Sequence, residues 1–89
     1  MSISCTIVLY INCKDKYAEL RGLAVLPGLP SNGDMIAWDD EIDLTVAGRC
    51  FGRRLSSVEL ICEEHNCGGS LDEQIEWYTA RQFTLIKKG

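Results

Sequence analysis

The stretch "ISCTIVLYIN", residues 3–12, sets Ile3, Cys5, Ile7, Leu9 and Ile11 on alternate positions, with Ser4, Thr6, Val8, Tyr10 and Asn12 between them. A period of two built from β-branched and aromatic residues predicts a strand with one buried and one half-buried face. The same alternation, with no basic leading segment and no small-residue cleavage site, favours a strand over a signal peptide here. "CKDK" follows as a polar break suited to a hairpin. "YAELRGLAVLP" then gives a second strand, in which Gly22 marks a bulge or a close backbone approach.

Residues 27–34, "PGLPSNGD", hold both prolines and two glycines and predict a series of turns. Beyond them "MIAW" and "IDLTVAGRCF" predict a hairpin turning at residues 39–41, with Ile42, Leu44, Val46, Gly48 and Cys50 on one face. "GRRLSS" reads as a loop, and "SVELICEE" as a strand that turns Val58, Leu60 and Cys62 inward. In "SLDEQIEWY" Ser70 and Glu73 form a capping box, and Leu71, Ile75 and Tyr78 follow i, i+4, i+7. That spacing predicts a short helix over residues 70–79 in preference to a hairpin. "QFTLIKK" closes the chain as a strand.

Five or six short strands with frequent turns and one short helix predict a mainly β fold, a small antiparallel β-barrel or sandwich of SH3-like size. A two-layer α+β sheet is the alternative. The 89 residues suit a single domain, 1–89, and no run approaches the ~18–20 apolar residues of a membrane span. Five cysteines without an export signal point to reduced thiols and a cytoplasmic setting.

The net charge of −4 is unevenly distributed. Asp34, Asp39, Asp40, Glu41 and Asp43 occur with no cation among them, and so do Glu63, Glu64, Asp72, Glu73 and Glu76. Such a surface repels nucleic acid and anionic membranes and attracts basic partners. Trp38 adjoins the first cluster, and Trp77 lies beside Glu73 and Glu76, off the inward stripe of the helix. Tryptophans at these places serve either as core or as anchors of a binding surface.

"CEEHNCGGS", residues 62–70, gathers two cysteines and the single histidine. Cys62, His65 and Cys67, joined by Cys50 from a neighbouring strand, would supply four ligands for structural zinc. Against this, the C-x-x-C spacing is absent and Cys62 shares an apolar strand face. Cys67 ahead of a helix start, with His65 near, is also the makings of a reactive thiol. Cys5 reads as core, and Cys13 merely begins a turn. No phosphate loop, dinucleotide fingerprint or calcium loop is present, and no cofactor is expected.

The sequence therefore favours a non-enzymatic protein that binds a partner with a basic surface stoichiometrically. The candidate contact residues are Asp34, Trp38, Asp39, Asp40, Glu41, Asp43, Glu73, Glu76 and Trp77. Inhibitors from phages or mobile elements share this profile, being small, acidic and without catalytic motifs; some occupy basic nucleic-acid-binding grooves. A zinc-stabilised module and a thiol enzyme at Cys67 are the alternatives. Direct binding of nucleic acid or membrane is not expected, whereas homodimerisation would hide leftover apolar surface.

Overall fold

The computed structural model describes residues 2–51, 58–64 and 70–89. Its elements are β1 (Ile3–Cys13), β2 (Lys16–Leu26), β3 (Met35–Ala37), β4 (Asp43–Phe51), β5 (Val58–Glu64), α1 (Leu71–Thr79) and β6 (Thr84–Lys88). All six strands join one sheet in the order β3-β4-β5-β1-β2-β6. The predominance of strand with one short helix is as the sequence predicts. The antiparallel barrel or sandwich is not: β1 and β5 run parallel, and the sheet stays open between its edge strands β3 and β6. The two-layer α+β alternative is not favoured either, because the single helix reaches only β1, β2 and β6.

The centre of the sheet follows from residues 3–12. Ile7, Leu9 and Ile11 are wholly buried on one face, and Val8 is buried on the other. A strand so apolar on both sides is stable only between two neighbours, and β1 pairs with β2 on one side and β5 on the other. A two-residue turn at Lys14 and Asp15 closes the β1/β2 hairpin, with Lys14 at positive φ and Cys13 opposite Lys16.

Residues directly opposite in a ladder share a face, so the register identifies the core side. Ile7 lies opposite Gly22 and Leu60, and Leu9 opposite Leu20 and Cys62. Onto this side pack Leu71, Ile75 and Tyr78 of α1, the residues that the helical spacing turns inward. Ser70 caps the helix, its Oγ accepting from Glu73 N at 3.2 Å. Exposed Asp72 pairs with Lys88, whose hydrogen bond and then its charge hold the carboxyl below the usual range. Beyond the reach of the helix, Ile36, Ile42 and Leu44 complete the core with Trp38 and Leu29 at its margin.

Gly22 answers its own question. Opposite Ile7 it forms no bulge with β1. It admits Trp38 instead: a Cβ there would lie 2.6 Å from Trp38 Cη2 and 3.2 Å from Phe83 Cδ1. The indole has nowhere to retreat, since it stacks on Phe83 at 4.3 Å and donates from Nε1 to the Arg81 carbonyl at 2.8 Å. Gly22→Ala should therefore destabilise the protein by about 1–3 kcal/mol, as overpacking does, measured by urea unfolding. In a Trp38→Leu background the same change should cost much less.

Candidate functional site

The acidic corner is built from a turn and the end of a helix. Asp39 Oδ1 accepts from Glu41 N at 2.8 Å and from Ile42 N at 2.9 Å, so this carboxylate shapes the turn between β3 and β4. Trp38 N and Asp39 N both donate to Ile42 O, closing the same turn. Asp34 does similar work one strand earlier, where Oδ2 accepts from Ser31 N at 2.8 Å. Of the five acids in this stretch, two thus build turns. Asp40 and Asp43 are exposed and take no part in that bonding.

Arg81 joins this turn to the helix. Its Nη2 lies 3.0 Å from Glu41 Oε2 and its Nε 3.9 Å from Asp39 Oδ2. Its guanidinium also sits over the Trp77 ring at 4.1 Å, and Nη1 donates to Trp77 O at 3.0 Å. Exposed ion pairs and cation–π contacts contribute about 1 kcal/mol or less each, so Arg81 organises the corner more than it stabilises the fold. Sequence reasoning missed it because Arg81 is forty residues from Glu41.

Two expected anchors thereby separate. Trp38 is a packing residue, wedged between Gly22 and Phe83 at the core margin. Trp77 remains 36% exposed and edge-on to Tyr78 at 4.9 Å, off the buried stripe as its spacing implies. Glu73 and Glu76 are exposed on the same helix. The corner therefore displays Asp40, Glu41, Asp43 and Trp77, with Asp39 and Arg81 as its frame.

On the sheet face away from the helix, Arg21 bridges Glu19 at 3.1 Å and Glu59 at 3.5 Å above buried Val8. Tyr10, opposite Glu19, has its hydroxyl pKa raised by burial and then by that carboxylate. These charges satisfy one another, and the middle of this face is closed by its own pairs.

The zinc set does not assemble as expected. A register shift between Val46 and Gly48 places Val46 opposite Cys62 but Gly48 opposite Ile61 and Cys50 opposite Glu59. The extra residue reverses the alternation of β4, so Gly48 and Cys50 leave the face shared by Leu44 and Val46. Cys50 is exposed on one side of the sheet and Cys62 wholly buried on the other. Two thiols on opposite faces cannot share one tetrahedral ion. His65 and Cys67, and with them the reactive-thiol reading, lie outside the described residues, as does the loop at residues 52–57. Among the described residues no group of three or more His, Cys, Asp or Glu is placed to hold a metal.

Cys13 is disulfide-bonded, while Cys5, Cys50 and Cys62 are free. This corrects the expectation of five reduced thiols, and it removes the support those thiols gave to a reducing compartment. Among the described residues no helix is long and apolar enough to cross a membrane. The chain matches no family model, no curated protein and no solved structure.

Burial raises the Cys62 thiol from the ordinary 9.0 to about 11. The folded protein then holds a proton that the unfolded chain has released, so stability falls as pH rises from about 9 toward 11. Cys62→Val should flatten that fall, measured by urea unfolding across this window. In the folded protein exposed Cys50 should be open to alkylation, while buried Cys5 and Cys62 react only on unfolding.

Proposed function

We propose that this chain is a non-enzymatic interaction protein that binds a protein partner stoichiometrically through the acidic corner. The observation that carries this reading is the Arg81 bridge. It gathers Asp39, Glu41 and Trp77 into one surface and leaves the charges of Asp40 and Asp43 turned to solvent. A half-exposed tryptophan rimmed by carboxylates is the pattern of a binding surface with an apolar anchor and a charged rim. The matching partner surface is basic. One such surface is a groove that otherwise binds nucleic acid, where carboxylates would take the place of phosphates; an inhibitor of phage or mobile-element type would act in this way.

The acids of this corner differ in what their reversal would disturb. Reversing Asp39 would break the turn, and reversing Glu41 would strip Arg81 of its nearest partner. Asp40→Lys with Asp43→Lys tests charge alone. The tagged protein, recovered from lysate of its source cells and observed by native mass spectrometry, should carry one basic polypeptide per chain. In the double variant, association with that polypeptide should slow on the order of tenfold at low salt and converge with the original at high salt. An unchanged rate at low salt would contradict the proposal.

A further inference from the structure

Among the described residues the open sheet leaves one strand edge without a partner strand along residues 22–26. β6 pairs with β2 at residues 18–21, Tyr17 and Gly89 exchange backbone bonds beyond it, and Gln82 just before β6 adopts a positive φ of 73°. Residues 22–26 of β2 therefore pair with β1 on one side and with no described strand on the other. β3 ends the sheet at its far side, so its outer edge is likewise unpaired among the described strands.

The two edges meet across a trough. A groove of about 460 Å³ is lined by Leu23, Ala24, Val25 and Leu26 from β2 and by Ile36, Ala37, Trp38 and Asp39 from the β3 side, with residues 80–82 at its end. A second hollow of about 520 Å³ continues it past Leu26, Ile36 and Ala37, which both share, to Asp34. Consecutive residues on both walls mean that the walls are backbone edges. A row of free amides and carbonyls is a template for another strand. Leu23 and Val25, 84% and 69% exposed, have no cross-strand neighbour on that side among the described residues.

We propose that an extended apolar segment of a protein partner, flanked by basic residues, adds as a strand to β2 at residues 22–26. This deepens the protein-binding reading above and rests on it. Five residues of β2 offer about 16 Å of edge at ~3.3 Å per residue. Apolar side chains at the middle of the segment cover Leu23 and Val25, as cross-strand neighbours do. Charge selects the ends: Asp34 closes one end of the trough and Asp39 lines the other, with Asp40, Glu41 and Asp43 beyond it and Arg81 already engaged. The same charges oppose a second copy of this chain, which carries a net −4 and would bring like acids together.

The test uses the full chain, labelled with ¹⁵N, and a short acetylated peptide of valines flanked by arginines. The control is the same peptide N-methylated at alternate residues, which keeps its charge but loses the amides that make a ladder. The proposal expects hydrogen-exchange protection of at least tenfold at amides within residues 22–26. It also expects at least tenfold weaker binding of the methylated peptide and weaker binding to Asp40→Lys/Asp43→Lys. Equal binding of both peptides, protection at α1 or Cys50 instead, or the same amides protected by self-association without peptide would each overturn it. If the peptide fails while the lysate partner still depends on Asp40 and Asp43, strand addition is wrong and the acidic-corner reading stands. If neither depends on them, both fall.

Discussion

One contact determines the shape of this protein: the Trp38 indole pressed against the bare backbone of Gly22. Six strands in a row would otherwise form an open sheet with half its core face uncovered, since the helix spans only β1, β2 and β6. Trp38, carried on the far side of the sheet by the β3/β4 turn, reaches back over the core to β2. There it stacks on Phe83 and bonds to the Arg81 carbonyl, tying together the two ends of the strand order. The half-buried indole N–H has its acceptor and the rings fill the gap, so polar satisfaction and packing agree at this point.

The functional features are consequences of the same fold-back. Because Trp38 holds the 38–42 turn near residues 80–82, Arg81 lies within reach of Asp39, Glu41 and Trp77 together. Because the tie is a single residue rather than a ladder, the curled sheet does not close, and a trough remains between β2 and β3. An acidic corner and a free strand edge thus adjoin. Each alone is common on small proteins; their adjacency is what makes a basic, extended partner segment the best match.

How much of this was legible in the sequence varies with the range of the interaction. The β1 strand, its hairpin with β2, the Ser70 cap and the inward Leu71, Ile75 and Tyr78 all follow from local spacing, and the structure has them where the spacing puts them. Gly22 was read as a bulge or a close backbone approach, whereas what it admits is the Trp38 side chain, because nothing local names the approaching group. Cys50 was misplaced because one unpaired residue at the β4/β5 bulge reverses every later side chain of β4, and such an insertion has no signature in an alternating run. The parallel pairing of β1 with β5 and the Arg81 bridge are long-range facts. Asp39 and Asp34 looked like surface charge when they are turn acceptors, a distinction that depends on backbone geometry.

The most direct measurement of the central claim is the proton NMR spectrum of the folded protein around Gly22. With the indole edge against it and Phe83 behind, the Gly22 Hα protons should be displaced from random-coil values by ring currents. They should also show nuclear Overhauser contacts to the Trp38 ring, and both features should vanish in Trp38→Leu. Gly22 Hα protons at random-coil positions, with no contact to Trp38, would contradict the account, because the packing tie between the two ends of the sheet would then be absent.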